Sequence, residues 1–264
     1  ESYKSYKSYK SYESYKSYES FESYKSPSMN QKVIWITGAS TGIGKELANE
    51  FSKAGHIVVV SARRKSRLVR IVSEIKYAER EASAFVCNLL SERSIQITAK
   101  RIKEKYGSID LLINNAGVTV FKSFMETKTF DYDNVIDTNL RGSFLCIKSV
   151  LPQMIKNKKG HIINILSVAA NTSFENSSVY AASKAGLLAM SNGLREEVRR
   201  YNIKVSNILP GAVETPMWDS KSRQRYKNRM MSASDIAKIV LQIYQQPRKV
   251  MIEDVIVRPI KGDI

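Results

Sequence analysis

The chain has 264 residues, 43% of them apolar, a formal charge of +17 and two cysteines. That length suits one large α/β domain, and Cys87 and Cys146, each inside an apolar segment, are too few for a disulfide framework or a metal cluster. A charge this positive raises nucleic acid as a partner, but no basic, aromatic-interleaved module appears inside the core, so a lysine-rich solvated surface without a nucleic-acid partner is expected.

From the beginning of the sequence, residues 1–26 repeat Ser-Tyr-Lys/Glu with a period of three, Phe21 replacing tyrosine once. The period matches neither a helix stripe nor a strand alternation, and the segment has no aliphatic residue to build a core. Residues 1–28 are therefore expected to be a disordered low-complexity tail, with the domain occupying 29–264 and starting near Met29. No run approaches the ~18–20 apolar residues of a membrane span, and no basic-then-apolar leader is visible. The expectation is a cytoplasmic protein without a membrane partner.

From Lys32 onward strands and helices alternate. Lys32–Thr37 reads as a buried strand, Ile43–Ala54 as a helix closed by Gly55, and Ile57–Ser61 as a second strand. A helix to about Tyr77, a strand at Ser83–Cys87, a helix at Ser91–Tyr106 and a strand at Ile109–Ile113 follow. One long helix is expected from about Phe130 to Asn157, then a strand at His161–Leu166, a helix at Ser178–Tyr201 and a strand at Ile203–Leu209. The end reads as a helix near Ser234–Gln245 and a short strand near Val255–Arg258. Such alternation implies a parallel sheet with helices on both faces, a doubly wound, Rossmann-type single α/β domain.

The turn after the first strand carries chemistry. In Thr37-Gly38-Ala39-Ser40-Thr41-Gly42-Ile43-Gly44, Gly38 permits the tight turn, Gly42 lets backbone approach a diphosphate, and Gly44 lets the helix pack close. The exposed N–H groups of the helix N-terminus would meet that diphosphate. At the end of the second strand, where an acidic residue would hold the ribose hydroxyls of NAD, the chain has Ser61-Ala62-Arg63-Arg64. A guanidinium fork suits the additional phosphate of NADP, which is favoured over NAD.

A second constellation supplies proton transfer. Tyr180 and Lys184, four apart on a helix, share a face. A phenol titrates near ~10, and an ammonium together with an oxidised nicotinamide would favour its phenolate. Tyr180 would then exchange a proton with a carbonyl or alcohol oxygen, and Ser167 would hydrogen-bond the same oxygen. His56 and His161 have no cysteine or histidine at ligand spacing, and no metal is expected.

With Thr37-Gly38-x-x-x-Gly42-Ile43-Gly44, Asn114-Asn115-Ala116-Gly117, Asn139, Ser167, Tyr180-x-x-x-Lys184 and Pro210-Gly211-x-x-x-Thr215 in order, the sequence resembles the short-chain dehydrogenase/reductase family over residues 30–264. The resemblance implies that Asn139 positions a water in a proton relay and that Lys184 also holds the nicotinamide ribose. It implies that Asn115, Ala116 and Gly117 line the adenosine side, and that Val213 and Thr215 fix the carboxamide beyond Pro210-Gly211. Asn88 departs from the aspartate usual at its place, which puts its adenine contact in doubt. A homo-oligomer, tetramer or dimer, is also implied, with the helices around Asn139 and Tyr180 meeting partner subunits.

The expected reaction is interconversion of a carbonyl and an alcohol. The ending Val255-Ile256-Val257-Arg258-Pro259-Ile260 resembles the NADP-dependent 3-hydroxy acid dehydrogenase branch and lacks the Val-Asp-Gly-Gly of 3-oxoacyl-carrier-protein reductases. A small aldehyde, ketone or 3-oxo acid is thus the first expectation, carrier-bound 3-oxoacyl reduction the second, and a non-catalytic NADP-binding regulator the third. Lys221, Arg223, Arg225, Lys227 and Arg229 fall where the family places its substrate lid. They read as a solvated basic segment, with a clamp for an anionic substrate as the alternative. Trp218 lies in the same region, packing either on substrate or on the surface.

Overall fold

The computed structural model describes residues 31–264, so the readings of residues 1–28 as a tail and of Met29 as a start lie outside the described residues. Strand β1 (Val33–Thr37) is buried on both sides. Val33 and Trp35 enter one apolar layer while Ile34 and Ile36 enter the other, as a two-residue period requires. The chain continues through α1 (Gly42–Lys53), β2 (Ile57–Ala62), α2 (Lys65–Tyr77), β3 (Ala82–Val86), α3 (Glu92–Tyr106) and β4 (Leu111–Asn114). After α4 (Thr129–Ile136) and α5 (Gly142–Lys156) come β5 (Gly160–Ile165), α6 (Ser178–Val198) and β6 (Ile203–Pro210). Helices α7 (Ser220–Tyr226) and α8 (Ala233–Tyr244) and strand β7 (Asp254–Val257) complete it.

The strands form one seven-stranded sheet in the order β3-β2-β1-β4-β5-β6-β7, every pair parallel. Leu47 and Phe51 of α1, Leu68 and Ile71 of α2 and Val240 of α8 cover one face. Ile95 and Ile102 of α3 with Val150 and Met154 of α5 cover the other. Strand order reverses between β1 and β4, and a crevice opens at the carboxyl ends of strands at such a switch point. The doubly wound reading of the sequence is therefore correct.

Two segments differ from the sequence reading. The helix expected without interruption from Phe130 to Asn157 is divided by a π-helical turn, Asp137–Arg141. The wider turn carries the Asn139 side chain to the backbone of Val118, where it donates to the carbonyl (2.9 Å) and accepts from the amide (2.8 Å). A hydrophobic stripe does not register one extra residue in a turn. Helix α7 is likewise absent from that reading, since its seven residues Ser-Lys-Ser-Arg-Gln-Arg-Tyr carry no apolar stripe.

A polar ladder crosses the sheet just below the crevice. Asn114, Asn164, Asn207 and Asp254 are register partners on β4, β5, β6 and β7. The Asp254 carboxylate can only accept, and it takes the Asn207 amide at 2.9 Å. Asn207 must then present its oxygen to the Asn164 amide (3.0 Å), and Asn164 its oxygen to the Asn114 amide (2.9 Å). One edge carboxylate thus orients three buried amides. Asn164 also donates to Ser191 of α6 (2.9 Å). Buried Arg195, about one turn beyond Ser191 on α6, donates to the Val205 carbonyl (3.0 Å) and to Asp254 (2.7 Å).

Candidate active site

Turn, strand end and helix are stitched together before any ligand is considered. Thr37 Oγ1 donates to the Ile113 carbonyl (3.3 Å) and accepts from the amides of Asn115 (3.1 Å) and Ala116 (3.2 Å). The Asn115 side chain donates to the carbonyls of Thr37 (2.9 Å) and Gly38 (3.2 Å). Backbones come very close here. A Cβ on Gly38, whose φ is +64°, would lie 2.5 Å from Ala116 Cα. A Cβ on Gly44 would collide with the Asn115 amide and lie 2.7 Å from the Gly38 carbonyl. These contacts leave no room for a side chain at either position.

Above this turn lies a cavity of about 840 Å³. Gly38, Ser40, Thr41, Gly42 and Ile43 form its floor at the start of α1. Arg63 and Arg64 line it at the end of β2, beside Asn88. Asn115, Ala116 and Gly117 follow β4, while Pro210, Gly211, Val213 and Thr215 follow β6. Ser167, Tyr180 and Lys184 complete the wall. Residues spread over much of the sequence thus converge on one crevice. Gly44 and Asn139 lie behind the wall. The Asn139 side chain is wholly buried and occupied by Val118 and by Ser183 Oγ (3.0 Å). Asn115 lines the cavity while its side chain is engaged with the turn.

Tyr180 and Lys184 share a face of α6, the ammonium 5.7 Å from the phenol ring centre. Lys184 Nζ donates to the Ile165 carbonyl at 2.9 Å, and burial pulls its pKa down to about 8. Burial pushes the Tyr180 phenol up to about 12, against the opposing effect of its hydrogen bond with Ser167. Among the protein's own groups, desolvation has the larger effect on the phenol. At neutral pH the phenol is protonated.

Several lining residues escape the sequence reading. Thr37 carries a hydroxyl that organises the turn, and Arg67 follows Arg64 at helical spacing three residues on. Phe121, Phe174, Glu175, Asp219 and Asp263 belong to segments without a motif. Trp218 does face the cavity. It stacks on Phe121 with ring centres 6.0 Å apart and donates its indole N–H to the Val213 carbonyl (3.1 Å).

Residues 32–226 match the family model described as short chain dehydrogenase. The chain belongs to the short-chain dehydrogenase family. This short-chain dehydrogenase is 34% identical over 239 residues to a sepiapterin reductase of Chlorobaculum tepidum, covering 88% of this chain and 98% of that protein. It is 37% identical over 186 residues to the 3-oxoacyl-[acyl-carrier-protein] reductase FabG of Thermotoga maritima, covering 70% and 76% respectively. Its fold superposes with a TM-score of 0.77 on a metagenomic short-chain oxidoreductase solved in complex with NADP, at 32% identity over 86% of this chain and 96% of that one. Membership makes the chain an oxidoreductase.

Proposed function

We propose that this oxidoreductase interconverts a carbonyl and an alcohol with NADP, Tyr180 acting as general acid in reduction and general base in oxidation. The observation that carries the reading is the convergence of Ser167, Tyr180 and Lys184 with the glycine turn on one cavity. The residues fit the nucleotide. The turn at Gly38, Ser40, Thr41, Gly42 and Ile43 would hold the diphosphate at the α1 N-terminus, and Arg63 and Arg64 would take the 2′-phosphate. When bound, the nucleotide would supply a hydride as NADPH in reduction and accept one as NADP⁺ in oxidation.

In reduction Tyr180 Oη donates its proton to the substrate oxygen while Ser167 Oγ hydrogen-bonds the charge developing there. A phenol held up to about 12 by burial stays protonated throughout the neutral range, which suits the reductive direction. Lys184 supplies a fixed ammonium beside the phenol, tied to Ile165. Asn139, fixed at Val118 and Ser183, is a positioning residue for the backbone at Val118 and for α6.

Small aldehydes, ketones and 3-oxo acids are the substrates proposed first, and a carrier-bound 3-oxoacyl group second, on the similarity to the Thermotoga maritima reductase. Exposed Phe130 and Tyr132 on α4 and Phe144 on α5 support a homo-oligomer built on these helices, and a cytoplasmic setting accords with two free, buried cysteines. The test is oxidation of NADPH against a carbonyl panel. Turnover with NADPH exceeding NADH is expected, and no turnover of any carbonyl would overturn the reading.

A further inference from the structure

The two ends of the cavity differ in charge. Among the described lining residues the basic ones are Arg63, Arg64, Arg67 and the buried Lys184. The three arginines gather at the end of β2 and the start of α2, leaving Lys184 as the basic residue near the phenol. The acidic ones, Glu175, Asp219 and Asp263, lie elsewhere, with the rings of Phe121, Phe174 and Trp218. Ring contacts place Phe121, and through it Trp218, near the reacting phenol, and Asp219 follows Trp218 directly in sequence. Phe121 is 6.5 Å from Tyr180 and stacks on Trp218, the planes 25° apart. The Lys122 amide donates to the Asn176 carbonyl at 3.0 Å, bringing the loop of Phe174 and Glu175 against that of Phe121.

None of Lys221, Arg223, Arg225, Lys227 and Arg229 lines the cavity. Arg225 sits over the ring of Tyr226, and Arg229 donates to the Asp263 carbonyl at 2.9 Å. Arg258 pairs with the Asp263 carboxylate, which leaves Glu175 and Asp219 as the acidic side chains of the wall without an ion pair among the described residues. Asp219 accepts from the amides of Lys221 and Ser222, a geometry that keeps it ionised.

Resting on the carbonyl chemistry proposed at Tyr180, we infer that the substrate carries an aromatic ring, neutral or cationic, seated against Phe121 and Trp218, which with Glu175 and Asp219 determine specificity. Phe121 is 52% exposed although it stands at the reacting phenol, so the apolar area it offers is available to a ligand. A flat ring covers such a platform in offset or edge-on contact, which a saturated ring of equal size does not reproduce. The carboxylates beside it repel an anion and attract a cation. Within the substrates proposed above, these features favour aryl aldehydes and ketones over anionic aliphatic 3-oxo acids.

Phenylacetone and cyclohexylacetone test this, since a methylene insulates each ketone from its ring; the 4-carboxy and 4-trimethylammonio derivatives of phenylacetone add the charge arms. With the full chain and NADPH, kcat/KM for phenylacetone should exceed that for cyclohexylacetone about tenfold. The carboxylate should fall about tenfold below phenylacetone, while the ammonium matches or exceeds it. Phe121→Leu and Trp218→Leu should each shrink the aryl preference to about twofold, and Glu175→Gln with Asp219→Asn should raise the carboxylate's relative rate. Equal or better use of cyclohexylacetone, or the carboxylate as best substrate, would overturn the inference. Binding of the same ketones in the presence of NADP, followed by tryptophan fluorescence with Trp218→Leu as control, judges the ring preference separately. Absent turnover of every carbonyl would instead remove the proposed reaction.

Discussion

Replacing Lys184 by methionine should make the protein more stable at pH 7 and inactive. Burial lowers this lysine from 10.5 to about 8, so below pH 8 the folded state carries an ammonium that the unfolded chain would hold at less cost. The difference corresponds to about 3 kcal/mol of lost stability at pH 7. Methionine fills similar volume without the charge, but it leaves the Ile165 carbonyl without its donor, a cost of about 1–2 kcal/mol. The net expectation is a variant about 1–2 kcal/mol more stable at pH 7. As pH rises from 8 to 10.5 the folded lysine is neutral while the unfolded one still binds its proton, so wild-type stability gains and the difference reverses sign. Urea unfolding followed by circular dichroism at intervals from pH 7 to 10, without added nucleotide, measures this. Carbonyl reduction by the same variant should fall at least about 100-fold. A variant less stable than wild type at pH 7 by an amount that stays constant to pH 10 would refute the reasoning.

Two further outcomes are expected. Arg63→Ala and Arg64→Ala should each weaken NADP binding about 10- to 100-fold and leave NAD binding nearly unchanged, read by calorimetry, because a charge-assisted bond to phosphate is lost only from NADP. Equal losses for both nucleotides would contradict that assignment. Asn164→Leu strands the Asn114 amide and the Asn207 oxygen inside the sheet and should cost about 4 kcal/mol in urea unfolding. Combining it with Asn114→Leu should cost less than the sum by at least about 1 kcal/mol, because one stranded group is then removed; strict additivity would mean that the ladder is not coupled.

The sheet was legible because β1 and β2 each open with four consecutive apolar residues, and glycines or polar turns separate the strands from amphipathic helices. The glycine turn and Tyr180 with Lys184 were legible because their spacing is local. What escaped depends on contacts distant in sequence. Asn139 is drawn to Val118 across 21 residues and widens a helical turn in doing so. The ladder exists only once four strands are in register. Phe121, Phe174 and Asp219 sit on loops whose sequences carry no period, so no pattern announces that they meet. The opposing effect of burial on the phenol was illegible for a related reason: pairing is visible as spacing, whereas burial belongs to the folded whole.

The most direct measurement is single-turnover reduction of a carbonyl by NADPH in Tyr180→Phe, which removes one oxygen from the cavity wall. If that hydroxyl delivers the proton, the rate falls about 10²- to 10⁴-fold while far-ultraviolet dichroism is unchanged. A rate equal to that of the wild type would contradict the account.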